Sequence, residues 1–345
     1  MADALARIGV APSLVFTGQH PRLDPVDFGF DLHSCARLTC AGLEDPNAHV
    51  GLVSRALVSL FADDRPVLVV VQGDTSSALG GALAANIADI PVAHVEAGLR
   101  SHDRRNPWPE EEFRVAIDRQ AKLLFAPTEL SAANLRRERV HGRIHVTGNT
   151  GIDSALAASK RVRREPRNRK HRRLLVTCHR RENWVDGVSN LATALVAIAA
   201  DPGVRIEIIL HPNPTLARRI RELLGGQAGI AFRPPCSHDS MLGLMLESDL
   251  VLSDSGGMQE EAAALGIPLL VLRQKTERPE AIACGNVELV GTDPQRIASA
   301  VRRGLSGGGN MPRPSLSLGD GRASQRIAAI IKEWLAFSSE AERIG

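Results

Sequence analysis

Cysteine is scarce in this chain of 345 residues, and the five present (Cys35, Cys40, Cys178, Cys236 and Cys284) are odd in number with no CxxC pair. That spacing argues against a disulfide framework and against a zinc site. It points to a reducing cytoplasm, with the thiols acting as small buried hydrophobes. Long apolar runs are also missing. None approaches the roughly 20 residues of a membrane helix, so no membrane partner is expected. The opening MADALARIGV lacks both a basic segment and a sustained apolar core, and is not expected to be a signal peptide. Nor is there a strong excess of one charge: 42 Lys and Arg against 39 Asp and Glu leave +3. Such a balance says little about partners, and no nucleic-acid partner is expected.

What is present is enough apolar material, 43% of residues, to fill the cores of two moderate domains. Strands and helices alternate. Residues 67–71 (VLVVV) form the continuous β-branched run of a strand buried on both faces. Further strands are expected at 13–16, 91–95, 123–126 and 143–146, with helices at 76–89, 110–120 and 128–137. Thr128 suits an N-cap, although Ser131 rather than Glu occupies the capping-box position. Residues 160–173 (KRVRREPRNRKHRR) interrupt the pattern. The dense positive charge could be a polyanion patch; the absence of interleaved aromatics favours a solvated linker. Beyond it, strands are expected at 174–177, 205–210, 250–252 and 268–272. Helices are expected at 189–199, 214–224, 239–247 and 256–265, with a loop at 304–316 and a last amphipathic helix at 324–336. The pattern is α/β, with two parallel-sheet domains facing across a cleft: 1–158, a basic linker 159–173, 174–318, and a terminal helix and tail 319–345.

Two stretches carry chemistry. Residues 91–114 (PVAHVEAGLRSHDRRNPWPEEEFR) bring Glu96 to the end of an apolar strand, then Glu110, Glu111 and Arg114 on the following loop and helix. Carboxylates grouped at the carboxyl edge of a parallel sheet suit proton transfer, one donating and one accepting. Glu112 reads instead as part of a solvated helix start. In the second half, LSDSGGMQEE runs from a strand through a Ser-Gly-Gly turn into a helix, a place where free N–H groups can receive phosphate. Glu261 could reach ribose hydroxyls, and Arg273, Lys275 and Arg278 downstream could balance a diphosphate. His179, in His179-Arg180-Arg181-Glu182-Asn183, adds an imidazole beside two guanidiniums at another strand end.

Gly73-Asp74-Thr75, His94-Val95-Glu96-Ala97-Gly98-Leu99-Arg100, Pro107-Trp108-Pro109-Glu110-Glu111, Gly148-Asn149-Thr150, the His179 segment, Ser253-Asp254-Ser255-Gly256-Gly257 and Glu277-Arg278-Pro279-Glu280 stand in one order. Together they resemble the non-hydrolysing UDP-N-acetylglucosamine 2-epimerases, from about Val15 to the last helix. The resemblance implies a GT-B-like fold of two Rossmann-like domains, with a C-terminal helix crossing back to the first. It also implies reversible conversion of UDP-GlcNAc to UDP-ManNAc, by anti elimination of UDP and re-addition to 2-acetamidoglucal, with neither metal nor nicotinamide. By similarity Asp74, Glu96 and Glu110 are the acid–base candidates, Arg114 positions them, and His179 steadies the leaving phosphate. Ser255, Gly256 and Gly257 would hold the diphosphate, Glu261 the ribose and Arg278 the nucleotide. Gln19, His20, Arg181 and His211 match positions linked to a second site, where the substrate itself activates bacterial members. A homodimer is the expected assembly, and a polysaccharide pathway the expected consumer.

One departure stands beside these matches. The family opens with an apolar strand and a Gly-Thr-Arg-Pro-Glu loop, whereas MADALARIGVAPSLVF corresponds to the helix and strand that follow them. Either the functional start lies upstream of Met1, or the first sheet lacks a central strand and the diphosphate site one basic residue. A hydrolysing relative releasing ManNAc and UDP, and an inactive nucleotide-sugar binder, remain as alternatives. A glycosyltransferase fits less well, because linked carboxylates suit proton transfer more than acceptor activation.

Overall fold

The structure is a computed structural model and describes residues 1–20, 26, 30, 35–162, 170–178, 186–306 and 313–344. The chain divides into two units, Met1–Thr150 with Arg322–Gly345, and Gly151–Gly321. In the first unit the order is α1 (Ala2–Arg7), β1 (Leu14–Phe16), β2 (Cys35–Arg37), α2 (Pro46–Asp63), β3 (Val69–Gln72), α3 (Ser76–Ile87) and β4 (Val92–Val95). It continues with α4 (Glu110–Gln120), β5 (Leu123–Ala126), α5 (Glu129–Arg137) and β6 (Arg143–Val146). Strands β3-β4-β5-β6 form one parallel sheet, and β1-β2 a separate parallel pair.

Every residue of β4 and β5 is buried, as apolar strands covered on both faces should be. Alternation along β4 sends Val92 into the core under α2 and α3, and Ala93 and Val95 into the core that receives α1 and the last helix. Strand β3 begins two residues later than the apolar run predicts. Its pairing opens where the Val69 amide meets the Pro91 carbonyl, and Val67 before it is 70% exposed. Among the described residues β3 pairs only with β4, so its other edge carries no ladder.

The second unit contains α6 (Thr150–Arg161), β7 (Arg172–Thr177), α7 (Asp186–Ala199), β8 (Val204–Ile209), α8 (Pro214–Leu224), β9 (Ile230–Arg233) and α9 (His238–Glu247). Then come β10 (Leu250–Ser253), α10 (Gly256–Leu265), β11 (Leu269–Val271), α11 (Pro279–Ala283), β12 (Val287–Leu289) and α12 (Pro294–Ser306). Its six parallel strands are ordered β12-β11-β10-β7-β8-β9. Chain direction across the sheet reverses between β7 and β10, the switch point at which doubly wound sheets bind ligands. Leu174 and Val176 face one core, and Leu175 between them faces the other. The last helix, α13 (Ala323–Ile344), belongs to the first unit, where Ile327, Ala328 and Ile331 are buried with Ala93 and Val95.

Candidate active site

In the first unit the site assembles just past the carboxyl ends of β3 and β4. Asp74 follows Gly73 at the end of β3, and Thr75 caps α3 by accepting from the Ala78 amide. Arg114, one turn inside α4 and buried, turns Nε to Asp74 Oδ2 at 3.0 Å, with Nη2 on the same oxygen. Its Nη1 donates to Glu111 Oε2 at 3.1 Å. Glu111, also buried, accepts the Ser101 and His102 amides at 3.0 Å, so this carboxylate ties the preceding loop to the helix.

Glu96 takes a left-handed backbone, φ 72°, as β4 ends, a conformation that costs a non-glycine residue on the order of 1–3 kcal/mol. Its amide and that of Ala97 both donate to the Phe125 carbonyl at 3.1 Å, which sustains the turn. A Cβ placed on Gly73 would lie 3.5 Å from Glu96 Oε2. The Glu96 carboxylate therefore stands over the turn that carries Asp74. Glu110 opens α4 half-buried beside Glu111, and Glu112 is exposed, as a solvated helix start would be.

Behind these groups lies a second charged network. His94 contacts Asp118, Asp118 accepts from Arg100, and Arg100 pairs with Glu138. Glu111 and Arg114 were findable as an i,i+3 pair on one helix. Asp118 and Glu138 were not, because their partners lie 18 to 38 positions away. Gln19 reaches the start of α3, its Oε1 accepting from Ser77 Oγ at 2.6 Å. His20 is exposed.

In the second unit, Thr177 and Ser253 at the ends of β7 and β10 share a 2.7 Å hydroxyl hydrogen bond across the switch point. Ser255 stands at the N-cap position of α10 without a side-chain capping bond, and donates its amide to Ser253 Oγ at 3.0 Å. Gly256 leaves room for the Arg278 guanidinium: a Cβ there would meet Arg278 Nη1 at 2.7 Å and Glu277 Oε1 at 3.3 Å. Gly257 is open, with nothing within 4 Å of such a carbon. Arg278 donates through Nε to Glu260 at 2.7 Å and through Nη1 to Glu277. Glu277 also accepts from Arg273 Nη2 at 2.9 Å, which gives Arg273 an internal partner.

Glu261 accepts from His238 Nε2 at 2.7 Å, and that hydrogen bond raises the His238 pKa against the opposing effect of burial. His211, past the end of β8, accepts the Asn213 amide at 3.0 Å. His179 and Arg181 lie outside the described residues. Among the described residues no group of three or more His, Cys, Asp or Glu is placed to hold a metal ion.

Residues 3–332 match the sequence pattern of the UDP-N-acetylglucosamine 2-epimerase family. The chain belongs to that family. The UDP-N-acetylglucosamine 2-epimerase of Salmonella typhimurium is 39% identical to it over 299 residues, 82% of this chain and 80% of that protein. UDP-GlcNAc 2-epimerase from Neisseria meningitidis, solved bound to UDP-GlcNAc, superposes with a TM-score of 0.88 at 31% identity over 96% of each chain. The Methanocaldococcus jannaschii UDP-GlcNAc 2-epimerase, solved with UDP-GlcNAc and UDP, gives 0.85 at 31% identity over 96% of this chain and 94% of that one. The fold of this epimerase-family chain is accordingly of the GT-B type.

Proposed function

We propose that this chain reversibly converts UDP-GlcNAc to UDP-ManNAc without releasing free sugar. The observation that carries the reading is the acid cluster of the first unit in a chain of this family: Asp74 held by Arg114, Glu96 over Gly73, and Glu110 at the head of α4. The C2 proton of the sugar is barely acidic, so its removal must be coupled to departure of the anomeric diphosphate. One carboxylate takes the C2 proton as the C1–O bond breaks. The electron pair of the C2–H bond becomes the C1=C2 double bond of 2-acetamidoglucal, and that of the C1–O bond leaves with UDP. In return, UDP oxygen re-adds to C1 while a carboxylic acid delivers a proton to the other face of C2. No hydride moves, and no nicotinamide is called for.

Asp74, Glu96 and Glu110 share the two proton transfers, with Arg114 orienting Asp74. The α10 amides around Ser255, Gly256 and Gly257 receive the diphosphate, Arg278 faces the nucleotide, and Glu261 exchanges His238 for the ribose hydroxyls. His179 stabilises the leaving phosphate. Gln19, His20, Arg181 and His211 would serve a second, activating sugar nucleotide, which favours the non-hydrolysing course. Homodimeric assembly and a role in polysaccharide synthesis follow from the same family resemblance. The five cysteines, all free, suit a reducing cytoplasm.

The purified chain, incubated with UDP-GlcNAc in deuterated water and followed by proton NMR, is expected to form UDP-ManNAc carrying deuterium at C2. Free ManNAc would instead assign it to the hydrolysing branch. UDP binding with no exchange at C2 would overturn the enzymatic reading.

A further inference from the structure

His94 sits inside β4 with no solvent exposure, between Val71 of β3 and Leu124 of β5. Both of its ring nitrogens face oxygen acceptors. Nε2 is 2.9 Å from the Gly73 carbonyl, and Nδ1 is 2.6 Å from Asp118 Oδ1. A carbonyl can only accept, so Nε2 carries a proton. Asp118 is held as a carboxylate by other donors: its Oδ2 accepts from Arg100 Nη2 at 2.7 Å and from the Gly98 amide at 3.2 Å. With Asp118 ionised, Nδ1 must donate as well, and the ring then carries both protons.

This cation is joined to the site through backbone. Gly73 has φ 70°, a left-handed turn suited to glycine, and its amide donates to the Val95 carbonyl at 3.1 Å. Its carbonyl points to His94. The residue before Asp74 is thus fastened to β4 at both ends of its peptide geometry, and the Glu96 carboxylate stands over it.

We propose that His94 is a permanently protonated positioning residue, whose imidazolium holds the Gly73 carbonyl, and with it Asp74, while placing fixed positive charge beside Glu96. The assignment rests on the reading of Asp74 and Glu96 as proton-transfer groups. The charged groups that face the ring are Asp118 from α4 and Glu96 from its own strand end. Arg100 and Glu138 stand behind Asp118, and α3 carries no charged residue. Burial opposes the charge, and Asp118, the Gly73 carbonyl and Glu96 outweigh it, leaving the pKa above the ordinary histidine value. Burial likewise opposes the Asp118 carboxylate, and His94 and Arg100 hold its pKa below the usual range.

Nitrogen-15 NMR of the histidine-labelled full chain, with His94→Gln used to assign the signal, tests the charge without any turnover. Both nitrogens of His94 are expected to be protonated at about pH 7.5, where an ordinary histidine with a pKa of about 6.5 is neutral. A neutral ring there overturns the proposal. In kinetics, His94→Gln is expected to lower kcat by up to about a hundredfold with KM little changed, the scale of a small misplacement of a reacting group. The acid limb of its kcat/KM profile should move to higher pH, because a carboxylate that loses a neighbouring cation is harder to deprotonate. A limb that stays in place, with rates normalised to UDP-binding sites, would reduce His94 to a structural role and refute the assignment. If the unaltered chain neither epimerises nor exchanges the C2 proton, the functional reading fails, and the NMR result still decides the charge of His94.

Discussion

At Arg114 one guanidinium serves two carboxylates from a side chain only 3% exposed. Removing one partner of a buried ion pair leaves the other charge uncompensated, at a cost of about 3–5 kcal/mol. Arg114→Met is therefore expected to lower the unfolding free energy by about that amount in urea titrations, and to abolish C2 exchange. Gly256 and Gly257 offer a sharper contrast. Gly256→Ala places a methyl 2.7 Å from Arg278 Nη1, so the guanidinium must move, and UDP affinity measured by calorimetry is expected to fall at least about tenfold, or 1.4 kcal/mol. Gly257→Ala meets nothing within 4 Å, and at this helical position it is expected to raise stability by roughly 0.4–1 kcal/mol in urea titrations. The residue types of this site were legible in the chain: an acid at a strand end, an arginine one turn into a helix, glycines at a helix start. Which acid meets which arginine was not, since Arg114 and Asp74 lie 40 positions apart.

Local signals served well where an element carries its own ends. Pro214–Leu224 and Gly256–Leu265 match the sequence expectation at both ends; Asn213 accepts two amides at the start of the first, and Gly266 ends the second in a left-handed turn. Thr128 does cap α5, accepting the Ser131 amide at 3.1 Å without the Glu of a capping box. Strands β2, β9 and β12 lie outside the expected strands because CAR and VEL are three residues long and IAFR leaves two of its four positions exposed. An element-level test concerns β3. The amides of Val69 and Gly73 donate to β4, and alternation turns those of Val70 and Gln72 to the edge without a ladder among the described residues. Hydrogen exchange is expected to be at least about tenfold faster at Val70 and Gln72 than at Val69, because an amide outside the ladder needs no opening to exchange. Equal protection across the strand would mean that another segment pairs with this edge.

For the whole molecule, the telling element is α13, which closes the chain on the unit where it began. Ile327 and Ile331 are buried with Ala93, Val95 and Phe125, residues more than 200 positions earlier. Ile331→Ala is expected to cost about 2–5 kcal/mol by the cavity it leaves. The loss should appear as faster hydrogen exchange in β4 and β5, with β7 and β10 of the second unit unchanged. An equal loss in both units would show that they unfold as one.

The sequence by itself determined the alternation of strand and helix, the acids and glycines at strand ends, and the family to which they belong. These follow from periodicity, turn chemistry and residue order, each readable within a few positions. Only the tertiary structure decided that Arg114 bridges Asp74 and Glu111, that Arg273 and Arg278 share Glu277, and that His94 has two acceptors and no donor at its nitrogens. Protonation and pairing depend on which groups lie within about 3 Å once distant segments are buried together, and distance along the chain carries no record of that.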